Sequence, residues 1–295
     1  MRIYEKDYEK IRGIFVMKDR DEHSFDPGAP DFVENALSYA LRKSFADFNF
    51  RTLTAIKSDP KIDFVCGFDQ WKKERKKQGK PATTTERTDY LMEKLENANF
   101  YRQFVEYFKP NSLHKNDFEK WHHDTCTLFL NTLQNDYQNL CYGKAQKIVN
   151  MMFKHLYCLD GAATYDDYFT PCHLVLDRFT LEWLRRNLPS VSKVGVWSNL
   201  QYDTAKNEWE NYAYYVKEVS DYFKRPEIQV KYNCLTPFQF EFYMWNEMKL
   251  HLAAEEFYFA MLDDPTDKKR QEFREKDIDE KIAEVDQAIR QYQAR

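Results

Sequence analysis

The stretch from Tyr142 to Arg186, YGKAQKIVNMMFKHLYCLDGAATYDDYFTPCHLVLDRFTLEWLRR, constrains the fold more than any other part of the chain. In its first half Ala145, Ile148, Val149, Met152, Phe153 and Leu156 recur at helical spacing and make one continuous apolar face, which predicts a packed amphipathic helix. At about 100° per residue, Lys147 and Lys154 are expected on the far side of that helix, in solvent. Lys144 falls in the first turn, directly after Gly143 and at the edge of the apolar face. A lysine half-buried at a helix N-terminus meets desolvation and the positive end of the helix dipole, the setting an amine nucleophile requires. The alternative is a surface lysine whose stem covers the helix edge.

The second half begins its helix at Asp177, with Leu181, Leu184 and Leu188 behind it and Arg178, Arg185 and Arg186 on the polar side. Asp177 is a natural N-cap, because its carboxylate can accept from backbone N–H groups two or three residues on. Capping alone would explain an aspartate there. The apolar run Leu174-Val175-Leu176 leads into it and sets it at the wall of a core, where a carboxylate can also act as a general base or stabilise a developing cation.

Gly143-Lys144 opening one helix, then an apolar run ending in Asp177 at the head of the next, resembles the helix-hairpin-helix DNA glycosylases, in particular their 8-oxoguanine glycosylase branch. The resemblance covers roughly 50 residues. It implies that Lys144 attacks the deoxyribose C1′, with Lys147 as the rival nucleophile, and that Asp177 activates the amine or stabilises the oxocarbenium-like transition state. It also implies that the hairpin, through Gly143, contacts a DNA phosphate. The chain departs from the family pattern twice. The Leu-Pro-Gly-x-Gly hairpin is reduced to Leu140-Cys141-Tyr142-Gly143, and the Pro-Val before the aspartate is Val175-Leu176.

Composition sets the wider frame. Seven glycines and ten prolines in 295 residues favour long helices over many short strands. No apolar run approaches the roughly 20 residues of a membrane span, and the opening MRIYEKDYEK has no signal-peptide core. Six cysteines without a CxxC pair read as reduced thiols of a cytoplasmic protein. The net charge of −4 gives no global support for a grip on DNA, which usually shows as a basic domain. The local exception is KKERKKQGK at 72–80, with six basic side chains against one acid. Lys72, Lys73, Arg75, Lys76 and Lys77 read as a phosphate-contacting arm, with Trp71 available to stack on a base. A solvated helix end leading into the Pro81 to Thr85 linker is the plainer reading.

Along the chain, Asp31 is expected to cap a helix using Phe32, Ala36, Leu37, Ala40 and Leu41. Residues 62–68 are expected to form a strand or buried turn, 85–107 one helix, and 115–134 another. That last helix carries His122, His123, Asp124 and Cys126. Neighbours on a helix point about 100° apart and no second cluster completes a set, so no metal is expected. Val194 to Ser198 reads as a strand or loop. Thr236-Pro237 starts a helix whose aromatics are expected to be core. After Asp264-Pro265 a final charged helix carries Ile278, Ile282, Val285, Ile289 and Tyr292, a narrow seam suited to docking on the body or to self-association as a short coiled coil.

These readings give a mainly α, two-lobed glycosylase-like fold with at most a few short strands. Its parts are an N-terminal helical region (1–110), a core (111–262) and a C-terminal charged helix (263–295). The expected function is excision of a flipped, damaged or modified base from duplex DNA without a cofactor, with lyase activity through a Schiff base. The alternative is a non-catalytic interaction or phage-defence-type protein that keeps the scaffold.

Overall fold

A computed structural model of the chain describes residues 23–48, 52–58, 66–80, 85–233, 235–261 and 266–293. The fold is mainly α. Among the described residues there are thirteen α-helices and no strand. They are α1 (Ser38–Asp47), α2 (Gly67–Lys77), α3 (Glu86–Asn97), α4 (Phe100–Tyr107), α5 (Phe118–Leu133), α6 (Tyr142–Tyr157), α7 (Asp166–Phe169), α8 (Arg178–Asn187), α9 (Tyr212–Phe223), α10 (Pro226–Lys231), α11 (Pro237–Met261), α12 (Asp267–Glu275) and α13 (Ile278–Gln293). Isolated bridges pair Ser24 with Asp160, Ala55 with Tyr137, and Gln201 with Asn211. No described helix is long and apolar enough to cross a membrane.

Helix α6 is the axis of the molecule. It packs against α1 and α5, and every residue in it except His155 is buried. The apolar face read from the sequence is fully enclosed, but so is the opposite face. Lys147 and Lys154, expected in solvent, are 8 % and 4 % exposed. Periodicity identifies the face that must be covered; it says nothing about whether neighbours also cover the other one.

Around α6 the core is aromatic. Phe153 meets Phe104 at 5.4 Å, Tyr107 at 5.3 Å and Trp121 at 5.4 Å between ring centroids, in tilted or edge-on arrangements, the geometry that aromatic quadrupoles favour. The aromatics of α11 belong to the same core, with Phe238, Phe240, Phe242 and Tyr243 all buried. Thr236 and Gln239 close a reciprocal cap at the start of that helix, at 3.2 and 3.1 Å, as the Thr-Pro signal predicts.

Several expected elements differ. The 85–107 helix is two helices, broken where Asn99 adopts the left-handed conformation at φ 60°, which asparagine tolerates better than most residues. The helix after Asp31 begins as a π-helical turn, Val33–Leu37, and the Asp31 side chain does not cap it. Val194 to Ser198 is irregular, running into a 3₁₀ turn at Trp197–Asn199. Within the 62–68 segment, residues 62–65 lie outside the described part. The final helix is two, α12 and α13, parted at Lys276 and Asp277.

Of the expected seam on α13, Ile278 and Val285 are half-buried. Ile282 is 49 % exposed, whereas the neighbouring Lys281 is fully buried. Its ammonium donates to Glu255 Oε1 at 2.6 Å, His251 Nδ1 at 3.1 Å and the Arg274 carbonyl at 3.0 Å. The side chains of Ile289 and Tyr292 lie outside the described part.

Candidate active site

The approach to α6 fixes the first candidate residues. The Gly143 N–H donates to the Leu200 carbonyl at 2.9 Å, and a Cβ at this position would lie 1.9 Å from the Trp197 carbonyl oxygen. Glycine is needed here because two backbones nearly touch. That N–H, which the resemblance assigns to a DNA phosphate, is directed here to a carbonyl within the protein. Lys144 serves the same junction. Its ammonium donates to the carbonyls of Asn139, at 2.7 Å, and Ser198. The amine is tied to the turn before α6 and to the loop after Gly195, and it makes no contact with Asp177.

Lys147, one turn further on, is the lysine that reaches Asp177. Its Nζ lies 3.3 Å from Asp177 Oδ2, with side-chain exposures of 10 % and 9 %. The Trp197 ring lies over the same ammonium, 4.7 Å away at its centroid, a cation–π contact. Asp177 is also the cap that its position predicts. Its Oδ1 accepts from the N–H groups of Phe179, at 2.8 Å, and Thr180, at 3.2 Å. The Thr180 hydroxyl accepts from the Asp177 N–H at 2.8 Å and donates to the Val175 carbonyl at 2.6 Å. One carboxylate oxygen thus holds the helix and the other holds the lysine.

Asp177 is carried to this place by an extended strap, residues 172–176, held from behind by two side chains of α6. The Gln146 amide donates to the Leu176 carbonyl at 2.7 Å and accepts from the Leu176 N–H at 3.2 Å. Asn150 donates to the Leu174 carbonyl at 3.0 Å. Two amides, one helical turn apart, replace the ladder that a neighbouring strand would supply.

Asn150 also opens a buried polar chain. Its Oδ1 faces His122 Nε2 at 2.8 Å, its amide donates to Tyr212 Oη at 3.1 Å, and Tyr212 Oη meets His173 Nδ1 at 2.8 Å. His173 Nε2 ends on Glu119 at 2.9 Å. The donors and acceptors fix the proton order. Since the Asn150 oxygen can only accept, His122 donates from Nε2 and accepts at Nδ1 from Tyr142 Oη, 3.1 Å away. Burial, followed by the nearby His173, holds the His122 pKa well below the usual value. His122 is therefore a neutral core residue.

A second buried pair flanks the first. Lys154 Nζ lies 2.6 Å from Glu241 Oε1 and 4.8 Å from the Phe242 ring centroid. Phe179, beside Asp177, packs edge-on against Trp245 at 5.2 Å. Burial pushes the Glu241 carboxyl above its ordinary pKa against the pull of Lys154, and the charge of Asp177 adds to the rise.

The basic segment forms α2. Lys73, Lys76 and Lys77 are exposed, while Lys72 lies 3.3 Å from Asp69 and Arg75 sits 4.7 Å over the Trp71 ring. Trp71 itself is buried and donates to Glu93 at 2.9 Å, so it offers no stacking face. A pocket of about 650 Å³ is walled in part by Arg178, Trp197 and Arg274; Lys147 and Asp177 do not line it, and Trp197 stands between it and the lysine amine.

Comparison with protein-family models, with curated proteins and with solved structures returned no match.

Reasoning from the sequence missed Gln146, Asn150, Trp197, Lys154 and Glu241. Gln146 and Asn150 carried no signal, because periodicity leaves them on the polar side of a helix expected to face solvent. Trp197 and Glu241 are distant in sequence and carried none.

Proposed function

We propose that the chain is a DNA base-excision glycosylase in which Lys147, rather than Lys144, is the nucleophile and Asp177 is its carboxylate partner. The observation that carries this reading is the 3.3 Å approach of the Lys147 amine to an Asp177 oxygen left over from capping. A carboxylate within hydrogen-bond reach of an amine can take its proton, and can stabilise the cation that develops as an N-glycosidic bond breaks. The cap holds the carboxylate in one orientation, and the strap holds the cap. Trp197 lies over the amine, so substrate entry requires the indole to move. The pocket beside Trp197, with Arg178 and Arg274 in its wall, has the volume of a small-molecule site, and the exposed lysines of α2 supply a cationic face for phosphates.

The test is borohydride trapping on duplex DNA carrying an abasic site or a damaged base, with wild type, Lys147→Ala and Lys144→Ala. A trapped adduct that survives Lys144→Ala and disappears in folded Lys147→Ala supports the assignment. No adduct and no base release from any folded form would remove it.

The near-complete burial of both side chains favours a second reading, in which the pair is structural and the chain is a non-catalytic interaction protein on the same scaffold. On that reading wild type shows no trapping, and Lys147→Ala alters stability alone.

A further inference from the structure

A second pocket, of about 630 Å³, lies on the other side of the strap from α6. Leu174 and Leu176 of the strap form one wall, and Val216, Val219 and Phe223 of α9 form the other. This volume falls within the range of small-molecule sites, which are mostly apolar with few polar groups. The charges at its edge are unequal. Glu119 is engaged by His173 at 2.9 Å, while the Lys224 ammonium makes no hydrogen bond or ion pair among the described residues and the residue is exposed. His173 bonds Tyr212 at the start of α9, and Lys224 follows its last residue. The residues along α9 that line the pocket run from Tyr215 to Lys224, roughly 14 Å of helix at the usual rise. The pocket is thus an elongated apolar groove along α9 with one available cation at its far end.

We propose that this groove binds a small amphipathic acid, an apolar chain or flat ring system lying along Val216, Val219 and Phe223 with its carboxylate on Lys224. An anion suits the available ammonium, and an apolar body suits the leucine and valine walls. The proposal does not rest on the glycosylase reading, since none of these residues belongs to the Lys147–Asp177 pair.

The experiment is calorimetric titration of the full chain with dodecanoate below its micelle concentration, with dodecanol as the uncharged probe. Wild type is expected to bind one dodecanoate per chain, and dodecanol about tenfold more weakly, the scale of one charge-assisted contact. Lys224→Glu is expected to weaken dodecanoate by at least tenfold and leave dodecanol unchanged. Val219→Trp, which fills the groove, is expected to abolish binding of both. Because Lys224 is exposed, its variant retains the fold and keeps the test valid even if Val219→Trp does not. Dodecanoate binding indifferent to Lys224→Glu, or several molecules per chain without saturation, would overturn the proposal.

Discussion

Asp177→Asn gives the sharpest test of how this site is built. Were Asp177 only a cap, the change would be nearly harmless, because asparagine caps about as well as aspartate. The structure predicts otherwise, because an asparagine side chain there would leave the Lys147 ammonium without its counter-charge in a site where only a tenth of the lysine side chain is exposed. At 3.3 Å and an effective dielectric of about 20, the lost attraction is about 5 kcal/mol. Removing one partner of a buried pair typically costs about 3–5 kcal/mol, so the expected loss is in that range. The assay is urea unfolding at pH 7 for wild type, Asp177→Asn, Lys147→Met and the double variant. The double variant should recover most of the loss, since no charge is then stranded. If Asp177→Asn unfolds within about 1 kcal/mol of wild type, a difference typical of a neutral surface change, the ion pair has no structural weight and the reasoning fails. Single-turnover base release on the same samples, under conditions where each remains folded, separates lost chemistry from lost fold.

Three further outcomes follow from the same geometry. Gln146→Leu leaves the buried Leu176 N–H and carbonyl without their partner and should cost about 2–4 kcal/mol in urea unfolding; a loss under about 1 kcal/mol would show that the strap is held by its side chains instead. Gly143→Ala places a Cβ against the Trp197 carbonyl and should cost at least about 1–3 kcal/mol, with a shift in tryptophan fluorescence as the Trp197 loop moves; an unchanged spectrum and stability would contradict the close approach. Burial, then the charges of Lys281 and Arg186, lowers the His251 pKa to about 4 against the opposing pull of Glu255 and Asp277. The unfolded chain takes up that proton near 6.5 and the folded one resists it, so stability is lost as pH falls from 6.5 toward 4, by up to about 3 kcal/mol. His251→Gln should flatten that window in urea titrations at pH 7, 5.5 and 4.5, and an unchanged pH slope would count against the buried contact between His251 and Lys281.

What could be read from the sequence follows from what local rules encode. The spacing of Ala145, Ile148, Val149, Met152, Phe153 and Leu156 fixed α6 and its apolar face, Asp177 announced its cap, and Thr236-Pro237 announced the start of α11. Each signal is contained within a turn or two of one helix, so no tertiary context was required. Tertiary structure alone decided which lysine meets Asp177. Lys144 and Lys147 leave the helix in different directions, and the choice depended on where the Trp197 loop and the strap were laid against it. Only the fold could reveal that the polar side of α6 is buried, because periodicity reports the face a helix must hide and not the faces its neighbours also cover. The same holds at the C-terminus, where the isoleucine spacing on α13 was legible but Lys281 is the residue turned inward. An ammonium can be buried there because Glu255, His251 and the Arg274 carbonyl converge on it from other helices, and no local pattern encodes that convergence.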